Sequence, residues 1–165
     1  MIRDYKATDL EEVLAVFHRS VREVNSRDCS LVQIAAWTPE PIDRSAWASR
    51  LASGGVFVCE HDKVIIGFAR INEEGYVDLL YVHSDFQGQG AARALLKRVV
   101  SWAVSRGIQQ LTSEVSITAQ PFFEHMGFRT VKEQEVERRR VKFKNYHMEL
   151  SIQNHNSPNR STDEP

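Results

Sequence analysis

Apolar positions in the first fifty residues fall at helical spacing. Leu10, Val13, Leu14, Phe17 and Val21 recur at i, i+3, i+4, i+7 and i+11, which predicts an amphipathic helix opening at Thr8. Glu11, three residues on, stands in capping-box position. Residues 2–5 before it predict a short strand. A polar stretch, residues 25–30, leads to a short helix over residues 31–37 that Pro39 stops. Asp43 is placed to cap a third helix, with Trp47 and Leu51 on one face and Gly54-Gly55 at its end.

The texture then turns β-rich. Residues 56–59 and 64–69 flank His61-Asp62-Lys63 and read as a hairpin. Residues 77–82 are nearly all apolar on both parities, the mark of a strand covered on both faces. Residues 90–106 predict a long helix with two apolar rows, Leu95/Val99/Trp102 and Leu96/Val100/Ala103, ended by Gly107. Residues 108–115 predict another strand. Thr118 is expected to cap a short helix through Pro121, Phe122, Phe123 and Met126, stopped by Gly127. Residues 128–138 and 141–150 predict a final hairpin. In its second arm the apolar parity switches from Val141 and Phe143 to Tyr146, Met148 and Leu150, and a one-residue bulge near Lys144-Asn145 accounts for the switch. The order of elements predicts an α+β domain over residues 1–150, a mixed sheet with helices on both faces. From residue 153 on, the chain is Asn, Ser, Pro and charge with nothing to bury, so residues 151–165 are expected to be a disordered polar tail.

Composition narrows the classes. The chain has 165 residues, 42% hydrophobic and 26% charged, enough for one domain and its core. A net charge of −1 gives no bulk attraction to nucleic acid or membrane. No apolar run approaches the ~20 residues of a bilayer span, and the start lacks the apolar core of a signal peptide. The expected location is cytoplasmic. Cys29 and Cys59 read as reduced thiols; without CxxC or HExxH no metal site is expected.

Chemistry concentrates where the buried strand runs through Gln87-Gly88-Gln89-Gly90-Ala91-Ala92 directly into the long helix. The first turn of a helix presents N–H groups without intrahelical partners, and with the dipole these form an anion site. Gly88 and Gly90 let a bulky anion reach the backbone; Ala91 and Ala92 keep the helix start slim. The implied ligand is a phosphate, more particularly a pyrophosphate. A Walker loop is excluded, because GxxxxGK[ST] is absent. A dinucleotide fingerprint has Gly88-x-Gly90, with Glu114 as ribose acid, but Arg93 stands where a small residue is needed. A nucleic-acid patch at Arg138-Arg139-Arg140, Lys142 and Lys144 is interleaved with Glu133, Glu135 and Glu137 on the preceding arm.

The segment Gln87 to Ala92 resembles the Q/R-x-x-G-x-G/A motif of the GNAT N-acetyltransferases. A second stretch, Ser116-Ile117-Thr118-Ala119-Gln120-Pro121-Phe122-Phe123-Glu124-His125-Met126-Gly127-Phe128, is similar to that family's N-x-x-A-x-x-F-Y-E-x-x-G-F. His18-Arg19-Ser20, Gln33-Ile34-Ala35-Ala36-Trp37-Thr38-Pro39 and the terminal Asn145-Tyr146-x-Met148-Glu149 resemble the YafP-like branch. The resemblance implies the GNAT acyl-CoA fold, with a mostly antiparallel sheet of about six or seven strands. It implies acetyl-CoA as cosubstrate and a small-molecule or peptide amine as acceptor, with no nucleic acid or membrane partner, and it is compatible with a homodimer. Cofactor contacts are then expected at Leu80, Tyr81, Val82, Gln87, Gly88, Gln89, Gly90, Ala91, Ala92, Ser116, Phe122 and Phe123, with the Val82 N–H supporting the oxyanion. Ser116 replaces the family's common Asn. Phe123 stands where many members carry a Tyr that protonates the leaving thiolate, which leaves Tyr81, Tyr146 and Cys59 as replacement donors. Asp78 and Glu114 are the candidate bases, Asp78 favoured. His18, Cys29, Gln33, Trp37 and Tyr146 are expected on the acceptor side. The alternative on the same fold is a non-catalytic acyl-CoA sensor.

Overall fold

The computed structural model of the chain describes residues 1–23, 29–39 and 41–152. Of the expected tail, residues 151–165, all but Ser151 and Ile152 lies outside them, as does most of the polar stretch after the first helix. The elements are β1 (Ile2–Asp4), α1 (Leu10–Glu23), α2 (Leu31–Trp37), α3 (Arg44–Leu51), β2 (Gly55–His61), β3 (Val64–Ile71), β4 (Val77–Val82), α4 (Ala91–Ser105), β5 (Gln110–Ser116), α5 (Gln120–His125), β6 (Arg129–Arg138) and β7 (Val141–Ser151).

The first helix does not open at Thr8. Ala7–Asp9 form a single 3₁₀ turn, and the capping acid is Asp9 rather than Glu11. The Asp9 carboxylate accepts the Lys6 N–H at 2.8 Å and the Arg3 guanidinium at 2.8 and 2.9 Å. That forked, charge-assisted pair offsets the cost of burying the carboxylate. Glu11 instead reaches outward to Arg44 at 2.7 Å. Asp43 caps α3 as expected, accepting the Ala46 N–H at 3.0 Å. The short helix α5 is not capped by Thr118. Ala119 is its N-cap, and the Ser116 hydroxyl accepts the Ala119 N–H at 3.2 Å.

The seven strands form two antiparallel sheets, β1-β2-β3-β4 and β5-β7-β6. They meet at one end only. Tyr76 bridges Thr112 in parallel, the Thr112 N–H donates to Gly75 O at 3.0 Å, and the buried Ser113 hydroxyl donates to Val77 O at 2.7 Å. Beyond this junction β4 and β5 diverge, so the expected single mixed sheet is a V of two sheets whose parallel contact is confined to its closed end. Helices cover both faces. Val13, Phe17 and Val21 of α1, Ile34 of α2 and Leu51 of α3 pack with Val58, Phe68 and Leu79 on one face. Leu95, Leu96, Val99 and Ala103 of α4 and Phe123 of α5 pack with Phe57, Val82, Leu111 and Met148 on the other.

The parity switch in β7 has a different cause from the expected bulge. The β5–β7 ladder runs without a break from Gln110↔Ser151 to Ser116↔Asn145, and the irregularity lies in β6, between Thr130 and Lys132. The strand is regular; its covered face changes. Phe143 packs on Trp37 of α2, whereas Tyr146, Met148 and Leu150 join the core under α4 and α5. The strand also continues past residue 150: Ser151 pairs with Gln110, and Ile152 is buried, its N–H donating to Gln109 O at 3.0 Å.

Candidate functional site

The opening of the V exposes one edge of β4. In an antiparallel ladder, bonded pairs alternate with non-bonded ones. The His83 N–H donates to Ile66 O at 2.7 Å, and Gly67 lies opposite Val82 and Ala69 opposite Leu80. The backbone groups of His83 and Tyr81 therefore serve β3. Those of Leu80 and Val82 point away from it, into the gap before β5. The Val82 carbonyl is taken there by Gln87 Nε2 at 2.8 Å, which ties the following loop to the strand end. The Val82 N–H is directed into the opening, as an oxyanion donor must be.

The loop then delivers the helix start. Gly88 and Gly90 have φ of +73° and +88°, the left-handed region that glycine enters without strain. Gly90 is the N-cap of α4 and carries no side chain over the first turn, and an added Cβ would meet nothing within 4 Å. The unpartnered N–H groups of a 15-residue helix are thus open to a ligand.

A cavity of about 550 Å³ follows this path, from the α4 N-terminus along β4 and between β4 and β5. Of the expected cofactor contacts, Leu80, Tyr81, Val82, Gln87, Gly88, Gly90, Ala91, Ala92, Ser116, Phe122 and Phe123 line it, and Gln89 does not. Phe123 is buried between the rings of Phe122 and Phe128, with centroids at 5.7 and 5.0 Å.

A second cavity, of about 580 Å³, lies on the α1–α3 side. The two share Trp37, Asp78, Leu79, Tyr81, Glu114 and Ser116, which form the passage between them. Of the residues expected on the acceptor side, Cys29, Gln33 and Trp37 line the second cavity, while His18 and Tyr146 line neither. Tyr146 packs into the opposite core, with the Lys144 ammonium 5.9 Å from its ring centroid. Cys59 is buried in that core too. Of the three replacement proton donors, Tyr81 is the one at the passage. Burial raises the pKa of its hydroxyl, opposed by a hydrogen bond from Trp37, so it stays protonated at neutral pH.

Both candidate bases reach the passage, in different company. Asp78 Oδ2 accepts from Arg50 Nε at 2.9 Å and from Arg70 Nη1 at 2.8 Å, so its charge is matched twice over. Glu114 is held by Gln134 Nε2 and by His147 Nδ1, the latter at 2.9 Å. The other nitrogen of His147 lies 3.3 Å from Glu149 Oε1. The Glu114 contact raises the His147 pKa against the effect of burial, with Glu149 adding to the rise. A carboxylate–imidazole–carboxylate chain thus leads from the passage to the outer face of β7. Sequence reading missed His147, Gln134, Arg50 and Arg70, since only the strand register and the packing of α3 bring them to the acids. Among the described residues no three His, Cys, Asp or Glu cluster as metal ligands, and no helix is long and apolar enough to cross a membrane.

Comparison with known proteins gives a consistent answer. The sequence model of the acetyltransferase (GNAT) domain matches residues 25–150. The chain is 39% identical over 153 residues to the uncharacterized N-acetyltransferase YafP of Escherichia coli (strain K12), covering 92% of this chain and 96% of that protein. The crystal structure of a GCN5-related N-acetyltransferase from Rhodopseudomonas palustris superposes with a TM-score of 0.89 at 27% identity, covering 92% of this chain and 95% of that one. The PaiA N-acetyltransferase of Thermoplasma acidophilum, solved in complex with coenzyme A, superposes with a TM-score of 0.75 at 17% identity, over 92% of this chain and 98% of that one.

Proposed function

The chain belongs to the GNAT acetyltransferase family, and from that premise we propose that it transfers the acetyl group of acetyl-CoA to a primary amine by direct attack. The observation that carries this reading is the continuous path from the α4 N-terminus, along the free edge of β4, to a second cavity through a passage lined by Glu114 and Tyr81. The pyrophosphate of coenzyme A sits on the amides from Gly88 to Ala92. The pantetheine arm bonds the outward backbone groups of Leu80 in the gap that β5 leaves open. The thioester carbonyl then accepts the Val82 N–H, which stabilises the oxyanion of the tetrahedral intermediate.

The amine arrives from the second cavity. A free alkylamine resembles Lys, with a pKa near ~10.4, so it must lose a proton before attack. Glu114 takes that proton, directly or through one water, and His147 and Glu149 connect it to solvent. Asp78, already held by two guanidinium groups, shapes the passage instead. The nitrogen of the intermediate still carries one proton too many and gives it to Glu114, which has passed the first on through His147; collapse then forms the amide, breaks the C–S bond and releases the thiolate. A thiol with a pKa near ~8.5 is a good leaving group, and the Tyr81 hydroxyl supplies the proton that Phe123 lacks.

The test is a screen of primary amines against acetyl-CoA, with free thiol and acetylated product both measured. The reading requires one thiol per acetamide and negligible release without amine. Tight acetyl-CoA binding without amine-dependent release would favour the sensor.

A further inference from the structure

The second cavity carries an asymmetry of charge that the transfer step does not use. Residues Gln134, Val136 and Arg138 alternate along β6 on the face toward the site. Gln134 holds Glu114 at the passage, and Val136 and Arg138 line the cavity beyond it. Arg139, at the hairpin tip, lines it as well. The other cations of its wall are matched: Arg50 by Asp78 at 2.9 Å and Lys144 by Glu133 at 2.8 Å. Lys142 at the same tip faces Glu135 at 3.5 Å. Among the described residues neither Arg138 nor Arg139 has a carboxylate partner; the acids that line the cavity are Asp43, which caps α3, and Asp78 and Glu114 at the passage. Arg138 acts inward, since its charge favours ionisation of the Tyr76 and Tyr81 hydroxyls, opposing the larger effect of their burial. Between the arginines and the passage the walls are aromatic, with Trp37, Tyr81 and Phe143 in edge contacts at 6.5 and 6.0 Å.

Taking the amine-transfer reading as its basis, we infer that the acceptor is a small amine with a flat apolar body and an anionic group at the end remote from the nitrogen. The amine meets Glu114, the body lies against Trp37 and Phe143, and Arg138 and Arg139 hold the anion. Arg138 and Arg139 are consecutive and both line the cavity, and a carboxylate or phosphonate bound there supplies the counter-charge that neither has. The planar fork of arginine matches such an anion with paired hydrogen bonds. Arg138 lies four positions beyond Gln134, roughly 13 Å at the rise of an extended strand. An arginine side chain reaching back over part of that length leaves room for about one ring between amine and anion.

A matched pair of acceptors tests this. 4-(Aminomethyl)benzoate and 4-methylbenzylamine share the amine and the ring and differ in the carboxylate. At saturating acetyl-CoA, kcat/KM for the acid should exceed that for the neutral amine by about tenfold or more, as expected of a paired guanidinium–carboxylate contact. Arg138→Gln and Arg139→Asn, both at exposed hairpin positions, should bring the ratio toward one through KM for the acid. Equal turnover of the two amines by the native protein would overturn the anionic acceptor and leave amine transfer standing. Absence of thiol release with every amine would instead count against transfer itself. Affinity then decides the present point, by titrating the coenzyme A complex with 4-(acetamidomethyl)benzoate and with N-(4-methylbenzyl)acetamide. Tighter binding of the acid, lost in the arginine variants, supports the site; equal binding overturns it.

Discussion

At the scale of single residues, two side chains carry the proposed proton traffic. Glu114→Gln keeps the shape and removes the base; Tyr81→Phe removes only the hydroxyl. Each should lower kcat for thiol release by about 10²-fold, the usual worth of a positioned acid or base, with KM for acetyl-CoA unchanged. An undiminished Glu114→Gln beside an inactive Asp78→Asn would return the base to Asp78. His147 makes a further prediction through its linkage. Glu114 raises its folded pKa above the unfolded value of about 6.5. The stabilisation from this contact is therefore fully present below about pH 6.5 and is lost as pH rises through the folded value. The melting-temperature advantage of the native protein over His147→Gln should shrink across that window. A gap that stays constant or widens with pH would show that the contact is not an ion pair. Asp78, Glu114 and Tyr81 were legible as candidates, but the partners that hold the two acids could not be read from the chain. Gln87, Gly88 and Gly90 stood out because a helix start is a local event. The partners of Asp78 and Glu114 come from α3, β3, β6 and β7, and a register that pairs Glu114 with His147 leaves no mark on local periodicity.

At the scale of elements, the decisive feature is the junction where the two sheets meet. Ser113 is buried, and its hydroxyl closes the V on the carbonyl of Val77. Ser113→Ala keeps the volume close and leaves that carbonyl without its donor. Denaturant unfolding should show a loss of about 1–3 kcal/mol, the cost of an unsatisfied buried group. A neutral result would mean that water replaces the hydroxyl. Most elements were visible from apolar spacing, including the hairpin at Asp62-Lys63 and the long helix α4. The bulge expected in β7 has a physical cause. A strand covered on opposite faces at its two ends looks like a bulged strand, because periodicity records which positions are buried and not by what. The cap at Asp9 was missed likewise, since its partner Arg3 lies outside the helix.

At the scale of the whole molecule, α4 and its loop bring the proposed anion site to one end of the V, and the second cavity opens on the other side of the sheets. Stability and site share one framework down to its last described residue. Ile152 is 4% exposed in the core beneath α4. Ile152→Ala should cost about 2–5 kcal/mol, whereas ending the chain after Ile152 should leave the melting temperature near that of the full chain. A large fall on that truncation would show that residues 153–165 contribute to the fold. Family membership accounts for the framework. The acetyl-CoA site is the claim on which transfer and acceptor both depend, and a calorimetric titration of acetyl-CoA into the native protein and Gly90→Asp tests it most directly. Aspartate enters the left-handed region more readily than most residues, so the variant should keep its circular dichroism spectrum while placing a negative charge at the helix start. The account predicts saturable one-to-one binding to the native protein, and its loss in the variant. Equal affinity in the two proteins, or no binding to the native one, would contradict it.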